Sequence, residues 1–543
     1  MLRRILSGTA VTAQATAAAA RSGILGPSRP DKVARMGLEV TRRGPFGAAA
    51  TIAAIRWGDR PALEDELGTL TYVDIDRRSN ALANAWLAEG MKPGDTIAIL
   101  CRNHRGFADA TYAAAKAGFR AVYMNTEFAG PQIEDVCKRE GVAALVFDEE
   151  YHERAPDWAE RHYRAWTDSG DAGGAQATLE DLIAASPSTP VDAGSVRPTV
   201  VMLTSGTTGT PKGAPRSEVG TINSLGALLE RVPFRTGEVT YIAPPFFHAL
   251  GFANLSIALS FGSKIVCHRR FDAEEFLRGI SQHRATTAVV VPAMLQRTLA
   301  LGSERLSEFD TSSLRIIFCG GSQLPGVTAT ATLEAFGDVL YVLYGSTEVS
   351  YASITVPRDH REAPTTVGKP TLGTSVRLLD DEGKEVPRGK TGRIFVSNGM
   401  EFEGYTDGQT KEVVAGLMSS GDVGHFDEAG RLFIDGRDDD MIVSGGENVF
   451  PQEVEELLLA HPALADAAVI GVDDEDFGQR LAAYVVVAGA EAPSADEIKT
   501  YVRGNLARYK VPRDIHFIGE LPRNATGKVL KRKLREASSA ERP

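Results

Sequence analysis

Thr204-Ser205-Gly206-Thr207-Thr208-Gly209-Thr210-Pro211-Lys212-Gly213 directly follows the apolar run Thr199–Leu203. A strand that ends in such a segment reads as an anion cradle. Glycines let backbone N–H groups converge on one point, while the hydroxyls and the ammonium add donors for phosphate oxygens. The spacing is not GxxxxGK[ST], because Lys212 lies between Pro211 and Gly213, so the common NTPase loop is a poor match. The bland alternative, a Gly/Thr-rich surface loop, does not account for this density of donors.

Around this segment, short β-branched runs alternate with longer Ala-rich stretches. Thr96–Leu100, 121–124, 144–147, 199–203, 239–243, 264–267, 288–291, 314–318 and 339–343 read as buried strands, with helices at 107–117 and 271–283 between some of them. That alternation predicts an α/β fold of helix-covered sheets. After Gly345 the strands shorten and glycines punctuate them, at Ser375–Leu379, 392–396 and 432–434, which predicts a small β-barrel-like subdomain. From Asp438 onward the pattern becomes α+β. The expected organisation is a basic leader at 1–43, loosely ordered, a large domain at 44–437 and a small mobile domain at 438–543.

The 543 residues are 43% hydrophobic and 24% charged, with a formal net charge of −12. Such a composition excludes disordered, collagenous and disulfide-stapled classes. An acidic chain without a basic stripe in its body is not expected to bind nucleic acid. Cys101, Cys137, Cys267 and Cys319 are scattered, unlike a zinc cluster or a disulfide framework. The most apolar segment, 241–262, is broken by Pro244, Pro245, His248 and Asn254, too short a run to span a bilayer. The first 43 residues differ, with eight basic side chains against two acidic ones, +6, which leaves −18 for the remainder. This leader reads as a loose terminus, as a peripheral contact with anionic membrane, or as a transit peptide in a eukaryote. The expected location is cytoplasmic, at the inner membrane face if the leader touches lipid, or mitochondrial in a eukaryote.

The loop 204–213 and five further motifs, in order from about residue 59 to 535, resemble the adenylate-forming superfamily, specifically its acyl-CoA synthetases. The resemblance implies the adenylate-forming fold, ATP, Mg2+ and CoA as cofactor and co-substrates, and a mobile C-terminal domain. It assigns Thr204, Ser205, Gly206, Thr207, Thr208, Gly209 and Lys212 to the nucleotide phosphates. His248, in Pro244-Pro245-Phe246-Phe247-His248-Ala249-Leu250-Gly251, would lie by the carboxylate being activated, and the uncharged helix after it would line the acyl pocket. Gly320, Gly321 and Ser322 would face adenine. In Tyr344-Gly345-Ser346-Thr347-Glu348 the tyrosine would stack on the base, Gly345 and Ser346 would belong to the nucleotide loop, Thr347 would meet the α-phosphate, and Glu348 would ligate Mg2+. Asp422 would hold the ribose hydroxyls, Arg437 ribose or phosphate, and Asp439 the hinge. Gly445 and Gly446 would give room to pantetheine in the thioester step, and Lys528 would be the catalytic ammonium.

The sequence departs from the family pattern at Gln323, where proline is usual, at Val342, where many relatives carry an amide, and at Ser217-Glu218, where a Ser-His pair is common. The implied reaction is ATP-dependent conversion of a fatty acid, medium to long chain, into acyl-AMP and then acyl-CoA. An aryl, short-chain or bile-acid-like carboxylate is the alternative. An amino-acid-activating protein is disfavoured because Ala253–Leu259 offers no acidic residue to a substrate ammonium. A scaffold that had lost catalysis is disfavoured because Glu348, Asp422 and Lys528 are all present.

Overall fold

The computed structural model describes residues 2–155, 161–168, 177–192, 194–204, 212–216, 222–400, 402, 404–406, 408–444, 447–474, 478–489, 491–525 and 527–540. The chain divides into two compact units, one of Met1–Val290, Ala300–Phe318 and Met400–Thr410, the other of Val291–Leu299, Cys319–Gly399 and Lys411–Pro543.

In the first unit a six-stranded sheet has the order His162–Trp166, Val142–Asp148, Thr96–Leu100, Arg120–Tyr123, Thr199–Thr204, Lys212–Arg216. The first five strands are parallel and the last is antiparallel. Ile97, Ala98, Ile99 and Leu100 are all fully buried, as expected of a strand covered on both faces. Val122 lies opposite Val201, and Thr204 opposite Lys212. The strands Thr199–Thr204 and Lys212–Arg216 thus pair antiparallel at the carboxyl end of a parallel strand, where open α/β sheets place ligands, and residues 205–211 between them lie outside the described ones. A second run in this unit has the order 316–318, Thr287–Val290, Val239–Ile242, Lys264–Val266, Pro61–Asp65, Gly68–Thr71.

The leader differs from its sequence-based expectation, for its backbone forms the helices Leu2–Ser22 and Pro30–Gly47. Alanine has the highest helix propensity, and in this case it also supplies an interface. Ala15, Ala18 and Ala19 are buried, and a Cβ built on Gly226 of the helix Ile222–Arg231 would lie 2.3 Å from the Ala15 Cβ. Only a glycine there permits the two helices to approach so closely.

The second unit contains an antiparallel sheet of Ser375–Leu379, Gly392–Ser397, Leu417–Phe426, Val413–Val414 and Leu432–Arg437. Another sheet joins Glu447–Val449, Ile442–Ser444, Gly478–Val487, Leu464–Asp474 and Asp514–Phe517. One face of it buries Val469, Leu481, Ala483 and Val485 with Val454, Leu458, Ile498 and Val502 of the helices Pro451–Leu459 and Ala495–Asn505. The other face buries Ile470, Ala482 and Tyr484 with Leu534 of the helix Lys531–Ala540. No helix among the described residues is long and apolar enough to cross a membrane.

Candidate active site

In the second unit the strand Leu340–Tyr344 runs into a tight loop closed by the Ala352 N–H donating to the Tyr344 carbonyl at 2.8 Å. The Ser346 hydroxyl accepts from the N–H groups of Glu348 and Val349, at 3.2 and 3.3 Å, the local bonding that lets serine shape a turn. Ser350 has φ +62°, a strained conformation for a residue other than glycine. The Asn398 amide ties the loop down, donating to the carbonyls of Val349 and Tyr351 at 2.8 and 2.6 Å. A Cβ on Gly345 would lie 1.9 Å from the Ser350 carbonyl oxygen, so the loop closes only over glycine. Thr347 and Glu348 both lie on this loop. Two hard oxygen donors, one of them a single carboxylate, fit a magnesium ion that takes its remaining ligands from phosphates and water.

The Tyr344 hydroxyl donates to Asp422 Oδ2 at 2.7 Å and lies 3.2 Å from Ser420 Oγ. Asp422 and Arg437 are register partners on neighbouring antiparallel strands, which sets Arg437 Nη1 3.2 Å from Asp422 Oδ1. The guanidinium also donates to both carboxylate oxygens of Asp439, at 3.0 and 3.3 Å. Burial pushes the Asp422 carboxyl above the usual carboxylate range, against the downward pull of Arg437, Tyr344 and the nearby Lys528 ammonium. Burial and the neighbouring Asp422 push the Tyr344 hydroxyl up.

Lys528 ends a turn in which its N–H donates to Asn524 Oδ1 at 2.9 Å and the Asn524 N–H donates back to its carbonyl at 2.9 Å. Gly527 in that turn has φ +78°, and a Cβ there would lie 2.6 Å from the Ala293 Cβ of the helix Pro292–Leu299. The structure thus brings Tyr344, Asp422, Arg437, Asp439 and Lys528 into one neighbourhood.

The turn Gly320-Gly321-Ser322-Gln323 follows a buried strand, with Gly321 at φ +92°. Gln323 has a partner no sequence pattern foretold, for its amide donates to Glu456 Oε1 on the helix Pro451–Leu459 at 2.5 Å. Burial, with Glu455, Glu453 and Asp435 nearby, raises the Glu456 carboxyl to about 7 in spite of that bond. A carboxyl whose folded value lies above its unfolded one stabilises the fold fully at low pH and loses that contribution as pH rises through the folded value. Glu456→Gln is therefore expected to flatten the loss of stability between about pH 5 and 8, by on the order of 1 to 2 kcal/mol. Thermal melts across that range check this, and an unchanged slope would assign the effect to other groups.

Val342 is buried, and its backbone N–H donates to Thr355 Oγ1 at 2.7 Å, so the strand position without an amide carries a packed aliphatic group instead.

In the first unit His248 is the N-terminal cap residue of the helix Ala249–Phe261. Its Nε2 is buried without a hydrogen-bond partner, and burial lowers the imidazole to about 4. The ring is therefore neutral at pH 7. Lys212 donates to Gln409 Oε1 at 2.5 Å and stands over the Tyr405 ring, 5.4 Å from its centroid. Thr204 ends the strand Thr199–Thr204. Ser205, Gly206, Thr207, Thr208 and Gly209 lie outside the described residues, as do Gly445 and Gly446 of the expected thioester loop.

Among the described residues one group, Cys101, His104 and Asp148, gathers three potential metal ligands. Hydrogen bonds account for it without an ion, because His104 Nδ1 accepts the Gly106 N–H and Nε2 lies 2.8 Å from Asp148 Oδ1.

The Lys528 turn thus lies near a partly buried aspartate–arginine pair carried on two neighbouring strands. The chain belongs to the AMP-binding enzyme family, which it matches over residues 51–406, and it matches the C-terminal domain of that family over 453–528. It is 34% identical to a feruloyl-CoA synthase of Amycolatopsis sp over 473 residues, covering 86% of this chain and 93% of that one. It is 31% identical to a fatty acid–[acyl-carrier-protein] ligase of Streptomyces coeruleorubidus over 490 residues, covering 88% and 93%. Its fold is similar to that of o-succinylbenzoate CoA synthetase from Bacillus subtilis in complex with its acyl-adenylate intermediate. The TM-score is 0.78 at 27% identity, over 90% of this chain and 97% of that one.

Proposed function

We propose that this chain is an AMP-forming acid–thiol ligase that converts a medium- to long-chain fatty acid, ATP and CoA into acyl-CoA, AMP and pyrophosphate. The gathering of Tyr344, Asp422, Arg437 and Lys528 carries the reading. In the first half-reaction a carboxylate oxygen bonds to the α-phosphorus as the bond to pyrophosphate breaks. Both reactants are anions, so catalysis depends on preorganised positive charge. Lys528 supplies one such charge, the N–H-rich segment 204–213 supplies donors, and Asp422 orients the ribose. Thr347 and Glu348 would hold magnesium, which contributes further charge to the phosphates when bound. In the second half-reaction the CoA sulfur bonds to the acyl carbon, the bond to AMP breaks, and the thiol proton is released.

The acid's class rests on the helix Ala249–Phe261, which carries no charged residue, a wall suited to a hydrocarbon chain. A second reading, an aryl acid, is favoured by Phe252, whose ring meets Tyr123 at 5.1 Å and Phe46 at 5.9 Å, and by the likeness to a feruloyl-CoA synthase. Thioester formation from acetate, octanoate, oleate and ferulate separates the two readings. Highest kcat/KM on octanoate or oleate supports the first, and highest on ferulate replaces it with the second.

The unpartnered, neutral His248 Nε2 is suited to hydrogen-bond the substrate carboxylate. His248→Ala is expected to raise KM for the acid roughly tenfold or more and to leave KM for ATP near wild type. No ionisation of this residue is expected in the kcat/KM profile between pH 6 and 8, since it becomes cationic only toward pH 4.

A further inference from the structure

We infer that the helix Pro30–Gly47, with the turn before it, is a docking surface for an anionic phospholipid bilayer. Among the described residues ten large apolar side chains are exposed, and four of them, Leu25, Val33, Leu38 and Val40, fall between positions 25 and 40. Val33 and Leu38 are each about half exposed, at 51% and 50%. Helical spacing explains which face they share. Lys32, Met36, Glu39 and Arg43 recur at the three- and four-residue intervals of one face and are less exposed than their neighbours. Arg43 is buried, donates to the Val191 carbonyl at 2.5 Å and pairs with Glu39 at 3.6 Å. The outward arc runs from Val40 and Val33 on one flank through Gly37, Thr41 and Ala34 to Leu38 on the other, and exposed Arg42 and Arg35 lie beyond the Leu38 flank.

The helix is firmly seated. Arg197 donates to the carbonyls of Thr41 and Arg42 at 2.9 and 2.6 Å, and Gly44, at φ +74°, breaks the helix before Pro45. Its two acids do not oppose a polyanion strongly, because Asp31 is paired with Arg29 at 3.1 Å and Glu39 turns inward to Arg43. A mainly apolar arc with arginines along one flank is the pattern of an interfacial helix, with the apolar side chains in the acyl boundary and the guanidiniums reaching headgroup phosphates. Charge selects the occupant. The leader carries +6 and the remainder −18, so an anionic surface attracts this end and repels the rest, which fixes the orientation. This proposal goes beyond the ligase reading and does not depend on it.

Cosedimentation of the full-length protein with vesicles tests it, using phosphatidylcholine alone and phosphatidylcholine mixed with phosphatidylglycerol, without substrate. Partition is expected to be roughly tenfold higher on the mixed vesicles and to fall with salt. Val33→Ser/Leu38→Ser/Val40→Ser and, separately, Arg35→Glu/Arg42→Glu should each lower it about tenfold. Turnover of a water-soluble short-chain acid that the wild type accepts should be unchanged in both. Leu38→Ser alone should move partition the same way, which keeps the test open if the triple variant folds poorly. Equal partition of variants and wild type, or no preference for the anionic vesicles, overturns the proposal. So does a shift in sedimentation mass of the apolar variant without lipid, which would assign this face to a second copy of the chain.

Discussion

Replacing Lys528 by alanine is expected to slow acyl-adenylate formation by roughly 10² to 10³-fold while leaving thioester formation from supplied acyl-AMP close to wild type. Removing one preorganised donor from an electrostatically driven site costs about that much. The asymmetry between the halves comes from the chemistry. Bringing a carboxylate up to a phosphate demands a cation between them, whereas thiol attack on the mixed anhydride starts from an activated acyl group. The Lys528 turn is held by its backbone bonds with Asn524 and by the contact of Gly527 with Ala293, so truncating the side chain should not disturb its place. Pyrophosphate exchange measures the first half and CoA consumption from synthetic acyl-AMP the second. Equal loss in both would refute the assigned role, and so would full retention of exchange.

Gly345→Ala should lower kcat/KM by about two orders of magnitude while the melting temperature of the enzyme falls by only about several degrees. The added Cβ would meet the Ser350 carbonyl oxygen at 1.9 Å, and a backbone atom has no rotamer by which to yield. Relief requires the loop from Gly345 to Tyr351 to open, and overpacking of this kind costs typically 1 to 3 kcal/mol. Thr347 and Glu348 ride on that loop, and a displacement of about 1 Å at reacting groups is enough for a 10²-fold loss. Magnesium dependence sharpens the test, because a displaced Glu348 should shift the half-saturating magnesium concentration upward. Wild-type turnover in the variant would show that the loop is not part of the nucleotide site.

Much of this architecture is legible in the sequence, for reasons that differ by element. The strands at 96–100, 199–204 and 287–290 announce themselves because parallel strands buried on both faces must be continuously apolar. The strand Lys212–Arg216 is masked in the sequence by Gly213 and Pro215, which read as loop. It forms at the edge of its sheet, where a missing N–H is tolerated. The leader's helices were obscured by the opposite effect. Its alanines and scattered arginines resemble a loose terminus until Gly226, some two hundred residues away, provides a groove shallow enough for Ala15. Tyr344, Asp422 and Lys528 could be named from motifs, but their convergence rests on strand register and on one lysine turn. The bond from Gln323 to Glu456 spans 133 positions and joins two residues with no pattern of their own.

Leu2–Ser22 lies upstream of the stretch that matches the family model, which begins at residue 51, whereas its partner in the alanine seam, Ile222–Arg231, lies inside that stretch. A shortened version cut at the family boundary would bare the glycine groove of the helix Ile222–Arg231. What looks like dispensable upstream sequence is, by its steric fit, a support for the helix Ile222–Arg231.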